Sequence, residues 1–158
     1  MADIGKLIGK KVKEIYMNEE FLKFVTDDGN IVFGVEGDCC SQSVFYDFYG
    51  VKKLFKNGAI KSAKEIDLEP DDIKTPEDVY KIDGCKIQKD KKSYQESIKV
   101  YGYELVTEDE KLGEVTSVFS FRNYSNGYYG GFMNNVADDT EVKPQIFDDV
   151  TETVAVKD

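Results

Sequence analysis

The chain has 158 residues, 41% of them hydrophobic, and its 31 acidic against 21 basic side chains leave a formal net charge of −10. That length suits one globular domain able to bury most of its apolar surface. The charge and the single arginine, Arg122, argue against direct nucleic-acid binding, which needs a cationic surface; the absence of histidine removes the commonest neutral-pH base and zinc ligand.

The N-terminal residues Met1-Ala2-Asp3-Ile4-Gly5-Lys6 lack the basic start and apolar core of a signal peptide. No stretch approaches the roughly 20 apolar residues of a membrane span, so a cytoplasmic location without membrane contact is expected. Lys11 to Glu36 reads as three strands: Val12, Ile15 and Tyr16 in the first, Phe21 to Val25 in the second, Ile31 to Val35 in the third. Asp27-Asp28-Gly29-Asn30 supplies the positive-φ positions of a tight hairpin between the last two.

Gly37-Asp38-Cys39-Cys40-Ser41 follows as a bend, with a possible helix N-cap at Asp38 or Ser41. Ser43 to Tyr49 is then expected to be helical, burying Val44, Phe45 and Phe48 at i, i+1 and i+4 and breaking near Gly50. Another turn of helix at Val51 to Phe55 stops at Asn57-Gly58. A strand is read between Ala59 and Leu68, an acidic loop at Glu69 to Asp72, and a short capped helix from Thr75-Pro76 that ends by Asp83-Gly84. The second half reads as a β meander: Tyr80 to Gln88, Gln95 to Thr107, Gly113 to Asn123 and Tyr128 to Asn134.

The fold class expected is α+β, an antiparallel sheet of about six or seven strands with one or two short helices on one face, all within residues 1–137. Residues 138–158 carry seven carboxylates and two lysines, and are expected to form a mobile acidic tail.

Candidate chemistry is sparse. Three cysteines, two of them adjacent, give no disulfide framework, and Cys39, Cys40 and Cys85 without histidine fall short of a zinc set, so neither metal nor cofactor is expected. A thiol at a helix N-terminus is a possible nucleophile, but no histidine is present to activate it and Asp38 would oppose its ionisation. The adjacent carboxylates Asp27-Asp28, Asp71-Asp72 and Asp148-Asp149 lie in turns or the tail, where solvation explains them. No catalytic residue is assigned and the protein is not read as an enzyme. Asp38, Cys39, Cys40 and Ser41 at the bend, together with Tyr124, Tyr128 and Tyr129 in the tyrosine-rich region, are the candidate binding residues, because tyrosine joins an apolar ring to a polar tip.

The Gly37-Asp38-Cys39-Cys40-Ser41 corner followed by Ser43-Val44-Phe45 resembles a small family of domains of unknown function from phage and bacterial genomes, over about Gly9 to Asp67. The resemblance implies a phage or mobile-element origin and no activity. With small size and acidity it leads to one expectation: stoichiometric inhibition of a host nucleic-acid-handling defence enzyme, in the manner of an anti-CRISPR protein, by binding that cationic protein. Duplex DNA carries about 24 charges over a globule roughly 40 Å across, so a local acidic patch fits better than whole-surface mimicry. The alternative is a small-ligand or nucleotide pocket at the Cys39-Cys40 corner, using the free N–H groups of the helix expected there.

Overall fold

A computed structural model describes residues 2–38, 41–68, 80–81, 97–125, 130–143 and 155–157. In chain order the strands are β1 (Val12–Met17), β2 (Phe21–Thr26), β3 (Gly29–Gly37), β4 (Gln42–Tyr49), β5 (Ser62–Leu68), β6 (Tyr80–Lys81), β7 (Ser97–Asp109), β8 (Gly113–Ser125), β9 (Gly131–Val136) and β10 (Ala155–Lys157). The described residues include one α-helix, α1 (Val51–Lys56), and a 3-10 turn at Ile4–Leu7. The strands form two five-stranded antiparallel sheets, ordered β10-β1-β2-β3-β9 and β5-β7-β8-β4-β6. The architecture is therefore mostly β, not the expected α+β arrangement of a single sheet with helices on its face.

Alternation shapes most of the first sheet, with a bulge between Val12 and Glu14 in β1. Ile15, Met17, Leu22, Phe24 and Phe33 are fully buried, while Lys23 and Val25 project from the opposite face. The expected hairpin over residues 21–35 is present, with Asp27-Asp28 at its tip. Thr26 Oγ1 accepts from the Asp28 N–H at 3.1 Å and donates to the Gly29 carbonyl at 2.6 Å. Gly29, at φ +90°, takes the left-handed conformation that closes the turn.

The residues expected to form a helix after Ser41 are instead β4, and a bulge explains the error. Phe45 stands opposite Phe121 and Phe48 opposite Phe119, with the register slipping between Phe45 and Asp47. The extra residue in β4 spaces two inward phenylalanines three apart, although their partners are two apart. A bulged strand thereby imitates helical periodicity. The corner is consequently a strand-to-strand connection, and neither Asp38 nor Ser41 caps a helix.

The two sheets pack face to face through phenylalanines. Phe24 of the first sheet lies 5.9 Å, centroid to centroid, from both Phe48 and Phe119 of the second, and 6.1 Å from Phe33 beside it. Tyr101 stacks on Phe121 at 4.6 Å and Tyr103 on Phe119 at 5.0 Å, extending the aromatic layer along β7. The expected helix at 51–55 is α1. It buries Val51, Leu54 and Phe55, and Lys11 caps it by donating its ammonium to the carbonyls of Leu54, Phe55 and Asn57.

The meander expected in the second half is corrected at both ends: β7 and β8 form a long hairpin, but β6, the described part of the strand expected over 80–88, pairs with β4 and not with β7, and β9 leaves the hairpin and pairs with β3 in the other sheet. The expected acidic loop at 69–72 lies outside the described residues, as does most of the helix expected from Thr75; Tyr80–Lys81 is strand, paired with β4. From Ala137 the chain turns across the outer side of the first sheet. Lys23 Nζ donates to the Thr140 carbonyl at 3.1 Å, Asn18 Nδ2 to the Lys143 carbonyl at 3.0 Å, and Val142 is buried. β10 pairs antiparallel with β1.

Candidate functional site

Several of the residues singled out in the sequence meet at one end of the fold, where β3 hands over to β4. Asp38 donates its N–H to the Gly130 carbonyl at 3.1 Å, and the Ser41 N–H returns to the Asp38 carbonyl at 2.9 Å. Tyr124 is the cross-strand partner of Gln42, and Gly130 leads into β9. Asp38, Ser41 and the backbone of Tyr124 are thus neighbours although 86 positions separate the first from the last in sequence. Cys39, Cys40, Tyr128, Tyr129 and Cys85 lie outside the described residues.

A polar latch holds this corner. Ser41 Oγ donates to the Asp38 carbonyl at 2.7 Å and Ser43 Oγ to the Glu36 carbonyl at 2.8 Å. Both hydroxyl oxygens are left to accept, and Asn123 Nδ2 donates to them at 3.2 and 3.0 Å. Asn123 is completely buried, and its Oδ1 has no hydrogen-bond partner among the described residues. Gly131 allows the close approach: a Cβ there would overlap Ser43 Oγ and stand 2.9 Å from Asn123 Nδ2. The latch ties β3, β4, β8 and β9 together and thereby joins the two sheets.

Beside the latch lies a feature that the sequence reading passed over, the β1–β2 loop Asn18-Glu19-Glu20-Phe21. Asn18 Oδ1 accepts from the N–H groups of Glu20 and Phe21 at 2.9 and 2.8 Å, fixing the turn. The Glu20 carbonyl accepts from Val35 N–H of β3 at 3.2 Å, and the Glu19 carbonyl from Phe45 N–H of β4 at 3.0 Å. The loop is therefore bonded to both sheets. An asparagine followed by two glutamates between two strand-like runs was the available signal, an Asx turn displaying acids.

Three concavities meet on this loop, and Glu20 lines all of them. A groove of ≈ 450 Å³ runs between Asn18-Glu19-Glu20-Phe21 and Glu141 with Lys143. A second, of ≈ 230 Å³, lies toward the corner and is bordered by Glu36, Gly37, Ser41, Gln42 and Ser43. A third, of ≈ 160 Å³, opens over Gly34 between Phe21 and Val136. A Cβ on Gly34 would come 3.1 Å from Val136 and 3.3 Å from the Phe21 ring, so the glycine lets both side chains settle onto the sheet. Glu19, Glu20, Glu36 and Glu141 thus surround a partly buried aromatic floor, with Lys143 the one cation among the described lining residues.

Elsewhere the titratable groups serve the framework. Burial pushes the Tyr103 phenol well above its ordinary value, and Glu65, within 3.3 Å of its hydroxyl, adds to this. Asp109, buried at the tip of the β7–β8 hairpin, accepts from the N–H groups of Lys111 and Leu112 at 2.9 and 3.0 Å; these bonds, with Lys56 at 3.4 Å, hold its carboxyl below the usual carboxylate range. Among the described residues no group of three Cys, Asp or Glu side chains is placed to hold a metal ion, and no helix is long and apolar enough to cross a membrane.

Residues 5–134 match the model of a family described as a domain of unknown function, DUF7448. The chain belongs to that family. No curated protein and no solved structure matches it. The span matched by DUF7448 runs well past the region around the Gly-Asp-Cys-Cys-Ser corner and takes in the β1–β2 loop, the latch and most of β9. The acidic segment that supplies Glu141 and Lys143 lies beyond it.

Proposed function

We propose that this DUF7448 protein acts by stoichiometric binding to a cationic protein, a nucleic-acid-handling enzyme of the kind used in host defence, and so inhibits it. The observation that supports this reading is the β1–β2 loop: its glutamates are presented around Phe21 on a backbone bonded to both sheets. A loop fixed before binding loses little entropy on association, and acidic side chains around an aromatic centre complement a basic surface with an apolar contact. A patch of four carboxylates also suits the net charge of −10 better than imitation of a whole duplex. The alternative of an anion pocket under a helix N-terminus loses its premise, because β4 stands where that helix was expected.

The test is capture from a bacterial lysate at low salt, followed by reconstitution with the purified captured protein. The reading expects a one-to-one complex by calorimetry and loss of the partner's nucleic-acid binding when the complex forms. Catalytic turnover of a substrate by the protein alone, or a captured partner whose nucleic-acid binding is untouched, would overturn it.

A further inference from the structure

We infer that a trimethylammonium head group, carried by a free ligand or by a methylated lysine, binds in a hollow between the tyrosines of β7 and strand β9. This site shares no described lining residue with the concavities around Glu20 and stands independently of the reading above.

Stacking sets the direction in which the tyrosine rings face. Phe121 covers one face of Tyr101, with centroids 4.6 Å apart and planes 11° from parallel, and Phe119 covers one face of Tyr103 at 5.0 Å and 17°. Both phenylalanines belong to β8, so the opposite faces of the two tyrosines turn toward β5, on the other side of β7. Glu65 of β5 stands directly across from Tyr103, and its Oε1 accepts from the Tyr103 hydroxyl at 3.3 Å. Beyond its part in the framework, this bond fixes a carboxylate beside two aromatic faces. The first sheet closes the hollow. The Gly131 N–H donates to the Tyr101 hydroxyl at 3.2 Å, and the Ala2 N–H to the Met133 carbonyl at 2.7 Å, bringing β9 and the N-terminal segment over it.

The volume and the walls select the ligand. The hollow holds ≈ 120 Å³ and takes further apolar wall from Phe121 and Phe132. At about 30 Å³ for each water-sized group it has room for about four heavy atoms, the size of a nitrogen bearing three methyl groups. Tyrosine faces attract a cation through the ring quadrupole, more strongly where water is excluded, and methylated ammonium also matches an apolar wall. A bare ammonium brings three N–H donors to a hollow whose described lining holds one carboxylate, and the unmatched donors would be desolvated without compensation. A neutral group of the same shape forgoes the attraction of Glu65 and the rings.

The probes are choline and its neutral tert-butyl isostere, titrated into the full chain and followed by ligand-observed NMR. The inference expects saturable binding of choline, at least about fivefold tighter than the isostere. Glu65→Gln and Tyr101→Leu are each expected to weaken choline at least about fivefold, whereas Tyr101→Phe, which keeps the ring face, holds it within about threefold. Glu110→Gln at the distant, exposed β7–β8 turn removes the same charge as Glu65→Gln and is expected to change affinity less than about twofold. Glu65 is exposed on β5, so its variant carries the test even where Tyr101→Leu lowers folding. A trimethyllysine peptide is titrated alongside: tighter binding than choline assigns the head group to a modified protein, weaker binding to a free ligand, and either order supports the site. No saturable binding of choline or the peptide, equal affinity for choline and its isostere, or equal effects of Glu65→Gln and Glu110→Gln would overturn it.

Discussion

Phe24 is the side chain through which the two sheets recognise one another, since its ring meets Phe33 within its own sheet and Phe48 and Phe119 across the interface. Phe24→Ala is expected to lower unfolding stability by about 3–5 kcal/mol in urea titration, the cost of removing a fully buried aromatic from a core that relaxes only in part. Glycines give a sharper contrast. Gly131→Ala drives a methyl group into Ser43 and Asn123 and is expected to destabilise, whereas Gly58, with open space around it, is expected to accept alanine with a gain of about 0.4–1 kcal/mol. Equal melting temperatures for the two variants would contradict the latch. At this scale the buried aromatics of β2 and β3 were legible in the sequence because alternation marks them. Asn123 was not, because its hydrogen-bond partners, Ser41 and Ser43, are about 80 residues away and nothing local records them.

The elements divide along a similar line. β2 and β3 were readable from alternation and from an Asp-Asp-Gly-Asn turn, and β1 was placed although a bulge spaces Val12 and Ile15 three apart, whereas β4 was misread because its bulge replaces a period of two with a spacing of three. The departure of β9 from the β7–β8 hairpin depends on non-local pairing with β3, which adjacent sequence does not encode. The β7–β8 turn carries the pH prediction. Hydrogen bonding holds the folded Asp109 carboxyl below its unfolded value, so its contribution to stability is present above about pH 4 and is lost as pH falls through the lower folded value. Asp109→Asn should therefore melt below wild type at neutral pH, with the difference closing as wild type is acidified, a trend that thermal melts across pH 2–7 would show. The segment after Ala137 yields another expectation. Val142 is buried where the chain crosses the first sheet, and burial of a valine is worth about 1.5–3 kcal/mol. Truncation after Ala137 should lower Tm by at least several degrees, as differential scanning fluorimetry would report.

On the scale of the whole molecule, two sheets are joined at one end by a polar latch around the buried Asn123 and carry beside it an acidic loop fixed to both. The sequence disclosed the acidity and placed a bend at Asp38 and Ser41. The groove and its two neighbouring hollows are assembled from the β1–β2 loop, β3, β4, β9 and the segment at Glu141, so no single stretch of sequence announces them. The central claim is that this assembled surface carries association. The most direct measurement is the association rate of the captured partner with wild-type and Glu20→Lys protein as salt rises through the physiological range, where the Debye length is about 8 Å. Electrostatic contact predicts a rate that falls with salt and is at least tenfold slower for Glu20→Lys, with dissociation changed far less. An association rate indifferent to both salt and Glu20→Lys would contradict it.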